Sequence, residues 1–248
     1  MRIAIVSASL SESSTTQQLG HAIGEAVRGE LGGDIVHVSL RELAHAITDN
    51  MLTGFPSAEL EDAFEKVKSA DAVVAVTPAY NASYSGLFKS FFDVLPEETL
   101  RGKPVAIGAT GGTPRHSLVT EHAIRPMFTY LHAITAPTAV YAATEDFGAH
   151  AADSDSSGGS SIGGRIRRVA GELAVIVRSL AGSGAKAEES LREAGAGDGT
   201  ESGAAKPELD DAEPAAARVG TARASAKSDI DAAKELFDDF KPMDELFG

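Results

Sequence analysis

Short apolar runs alternate with segments of helical spacing along the first 180 residues of the chain. Residues 3–6 form the first apolar run, and apolar side chains then recur every three to four positions through 19–31. These patterns are typical of a strand and an amphipathic helix. The alternation predicts strands at Arg2–Ser7, Asp34–Ser39, 71–76, 104–109 and 138–141. It predicts helices at Thr15–Leu31, 57–67, 87–95, 117–132 and 165–180, with polar or glycine-rich connections at 40–56, 77–86, 110–116 and 149–164.

Strands that alternate with helices predict an α/β fold, in which a parallel sheet carries helices on both faces. The third strand, 71–76, is a continuous apolar run, so we expect it to be covered on both faces. Five strands suit a doubly wound sheet with the order 2-1-3-4-5. Ligands of such sheets bind outside the carboxyl ends of the strands, at the switch point between strands one and three. The loops after strands one, three and four should therefore form the site.

The first of these loops is rich in hydroxyl groups and leads into a helix. Ser9, Ser14, Thr15 and Thr16 lie between the first strand and the first helix. The unpaired N–H groups and the positive dipole of a helix start favour an anion such as phosphate. Ser14 and Gln17 also fit a capping box, and the alternative interpretation is an ordinary capped loop with solvated serines. The sequence contains neither a Gly-Lys-Ser/Thr P-loop nor a Gly-x-Gly-x-x-Gly fingerprint.

An excess of acidic residues narrows the range of partners. The 248 residues carry a formal net charge of −14 and include no cysteine. The charge argues against nucleic acid and anionic membranes as partners, because phosphate contacts require Lys and Arg. The lack of cysteine excludes disulfides, thiolate catalysis and Cys-bound metal, and we predict no metal site. With no signal peptide and no apolar run of membrane-spanning length in the sequence, we expect a cytoplasmic protein.

The composition changes after residue 180. Ala, Gly, Glu, Ser and Asp dominate 181–227, which predicts a disordered linker, because little apolar surface is available to offset the entropy of ordering. In 228–248, Ser228 and the acids after it resemble a helix cap, and Ile230 and Phe237 belong to an apolar face. This segment is either a tethered amphipathic helix that docks on a partner or a fraying tail. The predicted organisation is a domain at 1–180, a linker at 181–227 and a short amphipathic segment at 228–248.

Three motifs follow one another along the predicted domain. Residues 77–93 read Thr-Pro-Ala-Tyr-Asn-Ala-Ser-Tyr-Ser-Gly-Leu-Phe-Lys-Ser-Phe-Phe-Asp, and 109–116 read Ala-Thr-Gly-Gly-Thr-Pro-Arg-His, followed by Glu-His-Ala-Ile-Arg-Pro at 121–126. With the hydroxyl loop, they resemble the NADPH-dependent FMN reductase family over residues 1–180. The chain is most similar to the branch that supplies reduced flavin to luciferase-like monooxygenases. The resemblance implies a flavodoxin-like fold that binds FMN and transfers a hydride from NADPH or NADH to flavin.

The resemblance also implies a set of flavin-binding residues. Those that match the phosphate loop of the family are Ser9, Ser14, Thr15 and Thr16. Those that match the segment along the ribityl chain and the isoalloxazine ring are Pro78, Ala79, Tyr80, Asn81 and Ser83. Those that match the loop at the pyrimidine end are Thr110, Gly111 and Gly112, whose glycines allow a flat ligand to approach the backbone closely.

Two histidines receive roles from the same resemblance. His116 matches a histidine near the ring, where it either stabilises reduced flavin as a cation or caps a helix start. His122 stands where related sulfonate-linked reductases carry a tyrosine that is associated with exchangeable flavin. The resemblance therefore implies tighter retention of FMN in this chain.

The leading hypothesis is an NAD(P)H-dependent FMN reductase, in which the flavin accepts the hydride and no side-chain nucleophile is required. The alternatives are a quinone or azo reductase on the same fold, an electron carrier of the flavodoxin type, and a scaffold that acts through its acidic tail. A flavin-dependent monooxygenase is the expected partner of the reductase. The segment 117–132 is apolar on more than one face and contains Pro126, so we expect a subunit interface and a homodimer or homotetramer.

Overall fold

The strands form one mainly parallel sheet whose central members are buried. This computed structural model describes residues 1–11, 14–147 and 161–195, with side chains as far as 182. The strands are β1 (Arg2–Ser7), β2 (Asp34–Ser39), β3 (Ala72–Tyr80), β4 (Ser83–Tyr84), β5 (Pro104–Gly111), β6 (Ile134–Thr135) and β7 (Val140–Ala143). Within the described residues they are ordered β2-β1-β3-β5-β6, β7 pairs with β5 in parallel, and β4 pairs with β3 antiparallel. The five predicted strands correspond to β1, β2, β3, β5 and β7, and their predicted order is confirmed.

Helices cover both faces of the sheet, as predicted. They are α1 (Thr15–Leu31), α2 (Ala44–Thr53), α3 (Ala58–Lys68), α4 (Gly86–Val94), α5 (Arg125–Tyr130) and α6 (Ile162–Gly195). On one face, Leu19 of α1 and Leu173 of α6 pack in a buried cluster with Val74 of β3. On the other face, α2 to α5 bury a second cluster that includes Phe88 and Phe128. Each face therefore has its own apolar layer, and the site at the strand ends lies between them.

Glycines bring α1 unusually close to the sheet. A Cβ atom on Gly20 of α1 would lie 2.8 Å from Cγ2 of Val76, and one on Gly108 of β5 would lie 2.6 Å from Cγ1 of the same valine. A Cβ on Gly24 would collide with the side chain of Ile5. Packing this close leaves α1 little freedom to shift, so its first turn is held at a fixed position beside the ends of β1, β3 and β5.

The predicted connection 40–56 contains a helix, α2, which the sequence pattern did not reveal. The residue before it, Leu43, offers no side-chain hydrogen bond to the free N–H groups of the first turn, so the usual polar start signal is missing. The predicted start of the next helix is confirmed, because the Ser57 hydroxyl accepts a hydrogen bond from the N–H of Leu60. The strands β4 and β6 are two residues long, which is too short to show a periodic pattern.

The helix predicted at 117–132 is present over 119–130 but is not a regular α-helix. A 3₁₀ turn at Pro114–His116 and a π-helical turn at Thr120–Ile124 precede the short helix α5. The N–H of Arg125 donates to the carbonyl of Thr120, five residues back. Pro126 has no N–H and cannot continue an α-helical ladder across this point, so the chain changes its hydrogen-bonding pattern there.

The last described helix is longer than predicted at both ends. α6 begins at Ile162 rather than 165 and continues past Leu180 to Gly195, into the stretch predicted as the start of the linker. The sequence 181–195 contains Ala, Glu, Lys, Leu and Arg, which are strong helix formers that offset its glycines. The chain divides into a compact unit, Met1–Ala196, and a second unit, Gly197–Gly248. The rest of the predicted linker, the segment 228–248 and most of the predicted loop 149–164 lie outside the described residues.

Candidate functional site

Three loops meet at the carboxyl ends of β1, β3 and β5, as the topology predicts. We call them the flavin loops, after the ligand that the family resemblance implies, and in the described chain they comprise residues 8–11 with 14–16, residues 77–85, and residues 110–118. The N–H of Ala8 donates to the carbonyl of Val76 at 3.0 Å, which joins the first loop to β3. The hydroxyl oxygens of Thr16 and Thr110 lie 2.6 Å apart, which joins the start of α1 to the end of β5. The predicted site residues of different loops are therefore neighbours.

The hydroxyl groups of the first flavin loop have distinct roles. Ser14 is the residue before α1, and its Oγ accepts from the N–H of Thr16 at 3.1 Å, two residues on. The Oγ of Ser9, which is buried, donates to the carbonyl of Ser11 at 2.6 Å and so shapes the loop itself. Thr15 is half-buried at the first helical position. The first turn of α1 contains no acidic residue, whereas that of α3 contains two, so the positive end of the α1 dipole is not neutralised within its own first turn.

The second flavin loop is a hairpin, which corrects the predicted irregular loop 77–86. β3 continues through Pro78 to Tyr80, and the turn Asn81–Ala82 has φ values of 49° and 64°. Two positive φ angles fit a tight hairpin turn, although Asn-Ala lacks the glycine that usually marks one. Pro78 is tolerated in the strand because the pairing of β1 with β3 ends at Val76, so β3 pairs only with β5 there.

The predicted ring-binding residues line this hairpin at different depths. Pro78 is buried, Ala79 and Ser83 are half-buried, and Tyr80 and Asn81 are exposed. They occupy one continuous stretch of backbone beside β5, in which Pro78 is in register with Thr110. The structure thus brings the second and third groups of predicted residues together at one edge of the sheet.

Two buried hydroxyl groups that the sequence did not single out support the hairpin. Thr77 Oγ1 donates to the carbonyl of Pro78 at 3.0 Å and accepts from the N–H of Ser85, also at 3.0 Å. Ser85 Oγ in turn accepts from the N–H of Phe88 and caps α4. A serine directly before an apolar helical segment is a typical helix start signal. The capping role of Ser85 could therefore have been inferred from the sequence.

The two adjacent glycines of the third flavin loop serve different purposes. A Cβ on Gly111 would collide with the hydroxyl of Tyr141, whereas a Cβ on Gly112 would meet nothing within 4 Å. Gly111 is therefore required by the packing of Tyr141, and the expected approach of a flat ligand to its backbone stays a prediction. Gly112 remains open to a ligand.

Tyr141 of β7 is a supporting residue that sequence reasoning missed. Its hydroxyl donates to the carbonyl of Thr113 at 2.7 Å, directly after the glycine pair. Burial, and then the nearby charge of Asp146, raise the pKa of the Tyr141 phenol. Arg165 of α6 donates to the Tyr141 carbonyl at 2.6 Å and pairs with Asp146 at 3.2 Å. β7 and α6 together hold the third flavin loop in place.

His116 lies on the surface of the 3₁₀ turn, next to Arg115. Both side chains are exposed, and neither is hydrogen-bonded to another described residue. The structure therefore leaves open the choice between a flavin-stabilising and a capping role for His116. Lys89 and Asp93 form an i,i+4 ion pair on α4.

Cavity volume alone does not locate this site. A cavity of about 100 Å³ borders the first flavin loop and is lined by residues of that loop and of β2, among them Ser7, Ser9 and Ser39. Cavities of about 410 and 490 Å³ lie around residues 96–101, at the opposite edge of the sheet. The flavin loops form an open edge of the described chain. Such an edge suits a flat ligand better than an enclosed cavity would.

Neither a metal centre nor a membrane-spanning helix is present among the described residues. No group of three or more His, Asp or Glu side chains is arranged to hold a metal ion in that part of the chain. None of the described helices combines the length and apolarity needed to cross a membrane.

Known proteins resemble the chain over the part that carries these loops. Residues 1–148 match the family described as NADPH-dependent FMN reductase. NADH-dependent FMN reductase SfnF of Pseudomonas putida is 38% identical over 151 residues, which is 60% of this chain and 81% of that protein. FMN reductase (NADPH) of Pseudomonas aeruginosa is 38% identical over 110 residues, which is 44% of this chain and 59% of that protein.

A solved structure agrees with these relatives. An oxidoreductase from Corynebacterium diphtheriae is 38% identical, covers 72% of this chain and 97% of its own, and superimposes with a TM-score of 0.65. Because the family match covers more than half of the chain, the protein belongs to the NADPH-dependent FMN reductase family.

Proposed function

We propose that the protein is an NAD(P)H-dependent FMN reductase that transfers a hydride from the dinucleotide to FMN. The observation that carries the proposal is the contact between Thr16 and Thr110, which joins a helix start suited to phosphate with the loop expected at the flavin ring. Two relatives that are 38% identical to the chain over their matched parts are named FMN reductases. The function belongs to this site, because the fold alone is shared by proteins of many functions.

The residues present fit FMN. The first turn of α1, with Ser14, Thr15 and Thr16, would bind the phosphate through N–H and hydroxyl donors. The hairpin from Pro78 to Ser83 would run along the ribityl chain and one edge of the ring. Thr110 and Gly112 would bind the pyrimidine end of the ring. Gly112 leaves room for it, because a Cβ atom placed on this glycine would meet no atom within 4 Å. When bound, FMN supplies the hydride acceptor that the side chains lack.

The chain contributes orientation and electrostatics. Backbone N–H groups at 110–113 would donate to the pyrimidine oxygens and stabilise the more negative charge of the reduced ring. The hydrogen bond from Tyr141 to Thr113 fixes the orientation of that backbone. The exposed ring of Tyr80 would cover part of the flavin and exclude water from it. None of these roles requires a side-chain nucleophile.

The proposal is tested by adding FMN to the purified protein and then NADPH under anaerobic conditions. The proposed reductase binds FMN and bleaches it in a single turnover. A flavodoxin-type carrier would bind FMN but not react with NADPH. Steady-state turnover with free FMN compared with a quinone separates the FMN reductase from a quinone or azo reductase.

We also propose the setting in which the enzyme acts. The resemblance to reductases that serve monooxygenases supports delivery of reduced flavin to a flavin-dependent monooxygenase. NAD(P)H as reductant supports a cytoplasmic location. Leu118 and Tyr130 are 61% and 83% exposed, and apolar surface on this segment supports assembly into a homodimer or homotetramer.

A further inference from the structure

The flavin loops carry very little charge in the part of the chain that the structure describes. Residues 8–11, 14–16 and 77–85 include no Lys, Arg, Asp or Glu, and residues 110–118 include Arg115 with His116 beside it. The whole chain, in contrast, has a net charge of −14. An anionic dinucleotide that approaches this protein is repelled by the protein as a whole, so a local cation at the site would have a large effect on its binding.

Arg115 has no partner among the described residues and is the arginine within the flavin loops, whereas Arg125 and Arg165 nearby are engaged. Arg125 donates to Thr135 and to two backbone carbonyls. Arg165 pairs with Asp146. The guanidinium of Arg115 is exposed and keeps its donors for a ligand, and its planar fork matches a phosphate group well.

The backbone beneath Arg115 is well supported. The N–H of Ser117 donates to the carbonyl of Pro114 at 3.1 Å and closes the 3₁₀ turn. The carbonyl of Thr113, the residue before the turn, accepts from the hydroxyl of Tyr141 at 2.7 Å. Proline at the start of the turn further restricts the backbone. A cation on a restrained turn loses less conformational entropy on binding than one on a loose loop.

We propose that Arg115 binds the pyrophosphate of NADH or NADPH while the nicotinamide ring lies against the flavin. This inference rests on the proposed function. The pyrophosphate is the charged group nearest to the nicotinamide, and Arg115 lies three residues after Gly112, which is open to the flavin ring. The proposed FMN phosphate site is instead at the start of α1. Arg115 therefore sets the affinity for the dinucleotide and not that for FMN.

The test uses the full-length protein loaded with FMN and titrated with NADP⁺ and, separately, NAD⁺ by calorimetry. Arg115→Ala should weaken the binding of both dinucleotides by about tenfold, equivalent to about 1.4 kcal/mol. Arg115→Glu should weaken it further, and the KM values for NADPH and NADH should rise in parallel. FMN affinity should not change. Added salt should weaken dinucleotide binding more in the wild type than in Arg115→Ala, because one screened ion pair is missing from the variant.

Arg28→Glu is the matched control. Arg28 lies in the last turn of α1, at the opposite edge of the sheet, and its reversal changes the net charge by the same amount. Dinucleotide affinity that is unchanged in Arg115→Glu, or reduced equally in Arg28→Glu, would overturn the proposal. A loss of FMN affinity would assign Arg115 to the flavin instead, and an effect confined to NADP⁺ would assign it to the 2′-phosphate. Failure of the wild type to oxidise NADPH would refute the proposed function itself.

Discussion

The hydroxyl oxygen of Thr16 lies 2.6 Å from that of Thr110, across a separation of 94 residues in the sequence. Both residues are buried, with 2% and 4% of their surface exposed. The contact joins the first turn of α1 to the end of β5, and close packing at Gly20 and Gly108 holds both elements on Val76. Contacts within the protein therefore fix two of the three flavin loops relative to each other, which lowers the entropic cost of binding.

Replacing Thr15 and Thr16 together by Ala should weaken FMN binding by about 1–3 kcal/mol, because hydroxyl donors to the phosphate are lost and the contact of Thr16 with Thr110 is lost with them. Calorimetric titration with FMN measures the effect. Thr48→Ala is a suitable control, since that hydroxyl donates to the carbonyl of Ala44 on α2. An unchanged FMN affinity in the double variant would mean that the phosphate binds elsewhere.

The two glycines of the third flavin loop should respond differently to substitution. Gly111→Ala should lower the free energy of unfolding by about 1–3 kcal/mol, the range for overpacking, because its Cβ meets the Tyr141 hydroxyl. Gly112→Ala should leave the free energy of unfolding unchanged and weaken FMN binding. Denaturant unfolding and FMN titration of both variants check this. Equal destabilisation by the two substitutions would contradict the assigned roles.

Tyr141 should make stability depend on alkaline pH. Burial raises the pKa of its phenol in the folded state above the ordinary value of 10.0. The stabilisation is fully present below the unfolded pKa and is lost as pH rises from that value through the folded pKa, because the unfolded chain releases the proton first. Unfolding measured across this range should show a smaller decline in Tyr141→Phe than in the wild type. Parallel curves for the two proteins would count against this role.

The sequence predicts the elements that have local signals. α1 has the predicted bounds, because Ser14 caps its start, apolar residues recur at helical spacing, and Gly32 with a φ of 70° ends it. α2 was missed because Leu43 provides no cap. The switch-point rule then located the site, since the order of the strands decides which loops meet.

What the sequence could not provide are contacts between distant residues. The need for glycine at 111 depends on Tyr141, whose position against that loop follows only from the pairing of β7 with β5. The hairpin at Asn81 was missed because its turn contains Ala82 in place of glycine. The roles assigned to the site residues remain predictions from the family resemblance.

Arg125, whose side chain is 21% exposed, should contribute strongly to the stability of the π-helical turn. It pairs with Glu121 and donates to Thr135 Oγ1 and to the carbonyls of Ala136 and Pro137. Arg125→Lys should lower the free energy of unfolding by about 1–3 kcal/mol, because a point charge cannot satisfy all of these acceptors. Thermal unfolding measures the effect, and Arg101→Lys, at an exposed pair with Glu98, should be close to neutral.

The ion pair between Arg125 and Glu121 also predicts an effect of acidic pH on stability. The hydrogen bond from Arg125 lowers the pKa of the Glu121 carboxyl. The contribution of the ionised Glu121 carboxylate to stability is present above its pKa in the unfolded chain. It is lost as pH falls through its lower pKa in the folded protein. Arg125→Lys should therefore show a weaker decline in stability at acidic pH than the wild type. An identical acid profile would show that the pair does not contribute.

The acidic tail should be dispensable for the core reaction. A truncation after Gly195, the last residue of α6, should retain FMN affinity and NADPH oxidation with excess free FMN. It should lower coupled activity with a partner monooxygenase, because a tethered segment raises the effective concentration of a weak contact. Deletion of 196–227 alone, which keeps the amphipathic segment, is the control. Loss of FMN binding on truncation would instead make the tail part of the structural core.

The most direct test of the central claim is anaerobic stopped-flow mixing of the FMN-loaded protein with NADPH, followed through the visible absorbance of the flavin. The account predicts that the absorbance bleaches within a single turnover, at a rate that rises with NADPH concentration and then saturates. Rapid bleaching should be retained in a truncation after Gly195. Protein that binds FMN yet leaves its absorbance unchanged when NADPH is added would contradict the account and identify an electron carrier instead.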